Sequence, residues 1–75
     1  MSGKLTFDYS KLRGRIVEKF GTQKQFGKAM NISESSLTLK LAGSSGFTQG
    51  EIIRAMDLLD LEDSSVAQYF FTPRV

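Results

Sequence analysis

The eight residues FGKAMNIS, positions 26 to 33, restrict what this chain can fold into more than any other stretch. Gly27 stands between helix formers, where glycine costs roughly 1 kcal/mol relative to alanine, so the position needs the absence of a side chain more than it needs helix propensity. Four residues on, Asn31 sits where the chain must turn, and after glycine it is the residue most tolerant of left-handed backbone. Ser33 then offers a side-chain oxygen to cap a new helix. The stretch therefore reads as helix, tight turn, helix, with the two axes meeting steeply and a small residue where they approach.

The same punctuation recurs on both sides. A first helix begins after Asp8 or Ser10, either of which caps it, and carries Leu12, Ile16 and Phe20 on one stripe with Val17 beside them. Gly21 ends it and Thr22 caps the next helix, about 23 to 30, which buries Phe26 and Met30. After Ser33 a helix over about 34 to 41 turns Leu37 and Leu41 inward and closes at Gly43. Thr48-Gln49-Gly50-Glu51 fits a capping box, Phe47 ahead of it is placed to staple Ile52, and Ile52 or Ile53 with Met56 and Leu59 form the buried face that follows. A last short helix starts near Ser64 or Ser65, brings Val66, Tyr69 and Phe70 or Phe71 over the core, and stops at Pro73. No segment alternates strictly between apolar and polar residues. The expected fold is all-α, a compact bundle of about five short helices in one domain over residues 1–75, with an N-terminal arm at 1–8 and a helix-turn-helix at 22–43.

Composition narrows the chemistry. The 75 residues include no Cys and no His, which excludes thiolate catalysis, Cys-ligated zinc and Ser-His-Asp arrangements. The acid pairs Asp57/Asp60 and Glu62/Asp63 have no nucleophile or metal cluster around them, and the GSSG at 43 to 46 follows no strand, so no enzyme and no cofactor is expected. No apolar run reaches the ~20 residues that cross a bilayer, and MSGKLTFDYSK lacks the apolar stretch of a signal peptide, so the expectation is a soluble, cytoplasmic protein without a membrane partner. Charge is uneven. Residues 1 to 50 hold eight Lys and Arg against three Asp and Glu, a net +5; residues 51 to 75 hold two against five, a net −3. A basic first part suits a polyanionic partner.

With Phe26 taken as the fourth position of the unit, Gly27 falls at the fifth, Met30 at the eighth, Asn31 at the ninth, Ile32 at the tenth and Leu37 at the fifteenth. On those residues the stretch TQKQFGKAMNISESSLTLKLAG, 22 to 43, resembles the helix-turn-helix of the lambdoid-phage repressor and Cro family. With KLAG and FTQGEI beyond it, the chain is similar to the small Cro-like or repressor-like regulators of phages and prophages of low-GC Gram-positive bacteria. The resemblance implies a transcription regulator that binds double-stranded operator DNA, commonly as a homodimer, with the helix at about 34–41 in the major groove. Gln23 then contacts a phosphate and steadies the recognition helix, Ser33, Glu34, Ser35, Ser36, Thr38 and Leu39 face base edges, and Lys24, Lys28 and Lys40 neutralise phosphates. Two positions depart from the family pattern: Lys40 stands where an apolar residue is common, and the turn Ala42-Gly43-Ser44-Ser45 lacks the usual Asn-Gly and following cation.

A second reading makes the chain a protein-interaction module. Here the acidic C-terminal part, including SSVAQYFFTPRV, binds a companion repressor and modulates it. Tyr69, Phe70 and Phe71 motivate it, being many aromatics for one short helix to bury.

Overall fold

The structure is a computed structural model and describes residues 7–73. Five α-helices follow one another: α1 Ser10–Phe20, α2 Gln23–Met30, α3 Glu34–Leu41, α4 Gln49–Leu58 and α5 Val66–Phe70, the last preceded by a 3-10 turn over Asp63–Ser65. Among the described residues there is no strand, only an isolated antiparallel bridge between Phe7 and Pro73. Beside that bridge the Asp8 N–H donates to the Thr72 carbonyl at 2.7 Å. Most of the expected arm, residues 1–6, lies outside the described residues; Phe7 and Asp8 are held against the C-terminal end by these contacts.

Caps set the helix starts. Thr22, Ser33 and Thr48 are extended, and their hydroxyls accept from the N–H groups of Gln25, Ser36 and Glu51 at 3.2, 3.2 and 3.1 Å. The capping box at α4 is complete, because the Thr48 N–H donates back to the Glu51 carboxylate at 2.9 Å. At α1 the capping oxygen comes from one residue earlier: the Asp8 carboxylate accepts from the Ser10 N–H at 2.9 Å, and Tyr9 holds the cap position with no side-chain bond.

Three helices end by one device. Asn31 (φ 60), Gly43 (φ 86) and Asp60 (φ 53) each take left-handed backbone. The next N–H then reaches back to a carbonyl of the last turn: Ile32 to Gly27 at 2.9 Å, Ser44 to Leu39 at 3.0 Å and Leu61 to Met56 at 2.9 Å. Asn31 and Gly43 announce this in the sequence. Asp60 does not, and it is steadied by the Lys19 ammonium, 2.6 Å from its carboxylate. That hydrogen bond first, and the lysine charge second, hold the Asp60 carboxyl below the usual range.

The core gathers Leu12 and Ile16 of α1, Phe26 and Met30 of α2, and Leu37 and Leu41 of α3. Ala55, Met56, Leu59 and Phe70 close it from the other side. Phe47 joins its halves, standing edge-on at 5.4 Å to both Tyr9 and Phe70. Val17, read as part of the α1 stripe, is 58 % exposed, because Leu12 and Ile16 already fill the line of contact. Gly27 is buried as expected, with a different neighbour. A Cβ there would lie 3.1 Å from the Ile32 carbonyl oxygen and 3.5 Å from Leu37 Cδ2, so the close approach is made by the turn's backbone, with only a side chain of α3.

Candidate functional site

Two exposed surfaces carry the residues with chemistry to offer. The first is α2–α3, where the sequence placed its DNA contacts. Gln23 and Thr38 meet: the Gln23 amide donates to the Thr38 hydroxyl at 2.9 Å, and that hydroxyl donates to the Glu34 carbonyl at 2.9 Å. Ser33 is engaged as the cap, Glu34, Ser35 and Ser36 are exposed around the first turn of α3, and Leu39 is 53 % exposed. Lys24 and Lys28 are exposed on α2.

Lys40 does not join them. Its ammonium bonds the Gly46 carbonyl at 3.0 Å and the Glu51 carboxylate at 3.1 Å and lies over the Phe47 ring, leaving the side chain 13 % exposed. An apolar residue is common at this place because the side chain points inward. Here a lysine stem packs inward, and its charged tip ties the 42–47 loop to the start of α4.

The same diversion applies to most of the basic first half. Arg13 donates to the Leu41 carbonyl at the end of α3 at 3.2 Å, and Arg15 to the Leu59 carbonyl after α4 at 3.0 Å. Arg54, from the acidic part of the chain, likewise donates twice to the Ala29 carbonyl near the end of α2, at 3.3 and 3.1 Å. Each guanidinium satisfies a helix-terminal carbonyl and sits at the negative end of a helix dipole. Lys11 bonds Gln68 and overlies Tyr69, and Lys19 pairs with Asp60. Among the described residues, Lys24 and Lys28 are the cations left without a partner, beside the equally unpaired Glu34 carboxylate. Two free cations and an opposing carboxylate are a weak phosphate-binding set. Most of the cations of residues 1 to 50 are engaged inside the fold.

The second surface lies on α4 and the segment after it. An open groove of about 770 Å³ runs along α4, with Ile52, Met56, Leu61 and Val66 among its apolar lining. Ile53 stands on its lip, 70 % exposed. Asp57 and Asp63 edge it and, like neighbouring Glu62, are exposed with no cation bonded to their carboxylates. Asp60 is what turns Leu61 toward this groove. The sequence held one clue to it, since adjacent isoleucines at 52 and 53 cannot both face the core of one helix.

The aromatic C-terminus is mostly core. Phe70 is 1 % exposed and Tyr69 half-buried, whereas Phe71 is 46 % exposed and packs edge-on to Phe7 at 5.8 Å. No helix among the described residues is long and apolar enough to cross a membrane.

No curated protein matches the sequence. Among solved structures, the chain is similar to the solution structure of the modulator of repression (MOR) of the temperate bacteriophage TP901-1 from Lactococcus lactis, at 41% identity and a TM-score of 0.77, covering 88% of this chain and 89% of that one. This corrects the resemblance drawn from the helix-turn-helix spacing. The kinship is with a modulator of repression and not with Cro-type or repressor-type regulators, and it overturns the reading of the chain as a sequence-specific DNA-binding regulator with residues 34–41 in the major groove. The engaged arginines and Lys40 give the physical reason why the basic half misled. A family model matches residues 5–73, nearly the whole chain, and the chain thus belongs to the family described as "Protein of unknown function (DUF739)".

Proposed function

We propose that this protein modulates a phage repressor by binding that repressor as a protein partner, through the acidic C-terminal third, in the cytoplasm of a bacterial host. The observation that carries the reading is 41% identity over 88% of the chain to a protein named for modulating repression. Fold likeness by itself is a poor guide to function. The charge distribution supports the same reading: Lys11, Arg13, Arg15, Lys19 and Lys40 of the first half bond within the chain, and the exposed surface along α4 is apolar and acidic. Such a surface repels phosphate and favours a basic protein face.

The test pairs the full chain with the repressor encoded in the same phage or prophage genome. Calorimetric titration should give a complex with Kd of about 1 µM or tighter, and co-expression should change the output of a reporter under that repressor's operator. No heat of binding together with an unchanged reporter would sink the reading. Truncation after Gln68 is the wrong variant here, because it removes the buried Phe70 and with it part of the core.

A further inference from the structure

We infer that the groove along α4 is the seat of the partner, and that its occupant is a basic amphipathic helix of the repressor. The inference rests on the proposed function and specifies the site and the chemistry it recognises.

Three observations select this occupant. The floor is apolar over the exposed flank of α4, and Ile53 projects from its lip at 70 % exposure, high for so large an aliphatic side chain. The edge is acidic. Asp57 and Asp63 have no cation bonded to them, and the guanidinium among the lining residues, Arg54, is turned to the Ala29 carbonyl at the end of α2. A partner that inserts apolar side chains between flanking Lys or Arg residues meets both features, whereas DNA or an anionic lipid surface meets repulsion. The backbone selects the shape. α4 forms one wall, and the short segment at 61–63 with the start of α5 forms the other; neither is a strand that could pair with an extended peptide, and an occupant arriving as a helix brings its own backbone hydrogen bonds. The 10 residues of α4 give a wall of about 15 Å, the length of nearly three turns of a docked helix.

The experiment titrates the same full-length repressor into the wild-type chain, into Ile53→Asp and into the double variant Asp57→Lys/Asp63→Lys, at about 50 mM and about 500 mM salt. Circular dichroism and thermal melts establish that the variants, all at exposed positions, are folded. Ile53→Asp should weaken binding about tenfold or more, as for an apolar anchor. The double variant should weaken it at low salt and lose the salt dependence of the wild type. Tight wild-type binding that both variants keep within about twofold would overturn the groove while leaving the modulator reading intact; no wild-type binding would remove both. Sedimentation of the chain alone closes the remaining route, since self-association abolished by Ile53→Asp would make the occupant a second copy and overturn the inference.

Discussion

The α2–α3 pair and the α4–α5 region differ in the charge they leave free. Around α2 and α3, Arg13 and Arg54 reach across from α1 and α4 to the carbonyl ends of α3 and α2, Lys40 holds the loop that follows α3, and Lys24 and Lys28 stay free beside no apolar groove of comparable size. Along α4 and the turn after it, Asp57, Glu62 and Asp63 face solvent unpaired beside an apolar groove. Formal charge along the sequence would assign the binding role to the first region. The proposed binding role lies with the second, because a cation whose donors are already committed within the fold has fewer left for a partner.

The sharpest break between core and surface falls within the C-terminal region. Phe70→Ala should lower unfolding free energy by about 4 kcal/mol, since the ring is 1 % exposed and supports Phe47 edge-on. Phe71→Ala, at a ring 46 % exposed, should lower it by about 1 kcal/mol or less, and Ile53→Ala by less still. Urea denaturation of the three variants checks the order. Equal losses for Phe70→Ala and Ile53→Ala would mean that the groove lip belongs to the core, and the division between fold and function would fall.

Within α2–α3 the corresponding test is Gly27→Leu. With the Ile32 carbonyl oxygen 3.1 Å from where a Cβ would stand, the larger side chain must push the turn aside, and a loss of about 3 kcal/mol is expected. Gly27→Ala should be close to neutral, its gain of about 1 kcal/mol in helix propensity being offset by that same contact. A stable Gly27→Leu would show that the turn is looser than its hydrogen bond from Ile32 to Gly27 implies.

These local constraints are the part of the molecule that the sequence made legible. Gly27, Asn31, Ser33 and Thr48 speak to neighbours three to five residues away, and the bounds of α2 and α3 follow from them as expected. The arginine bonds span 28, 44 and 25 residues, and no pattern in the chain reports which carbonyl a long side chain will reach. For that reason Arg13 and Arg15 looked like part of a polyanion-binding surplus. Val17 and Ile53 were ambiguous for a geometric reason: each follows a core residue directly, so periodicity alone leaves open which of two neighbours turns outward. The groove was hidden by that ambiguity and by Asp60, whose left-handed backbone has no glycine to announce it.

Asn31 gives a smaller test of the same local logic. Asn31→Val places a β-branched residue at φ 60 and should cost about 1–2 kcal/mol, while Asn31→Gly should stay within about 0.5 kcal/mol of wild type. Equal stabilities for the two in thermal melts would mean that the turn readily leaves its left-handed conformation.

The smallest effect is expected where the two regions are joined. Lys40 of α3 reaches Glu51 in the first turn of α4, and the pair links the first of these regions to the second. Burial opposes ionisation of Glu51, but the Thr48 N–H, the hydrogen bond and charge of Lys40, and the Thr48 hydroxyl together outweigh it and hold the carboxyl below its ordinary range. A carboxyl depressed in the folded state stabilises fully above its unfolded pKa, and that contribution is lost as pH falls through the folded value. Lys40→Met keeps much of the packing of the stem and removes the ammonium. At neutral pH it should cost about 1 kcal/mol or less, and the gap from wild type should narrow as pH drops below the ordinary glutamate range. A gap that stayed constant through acid would mean that Lys40 acts through its bond to the Gly46 carbonyl alone, and the joint between the regions would then be a loop anchor indifferent to the charge on α4.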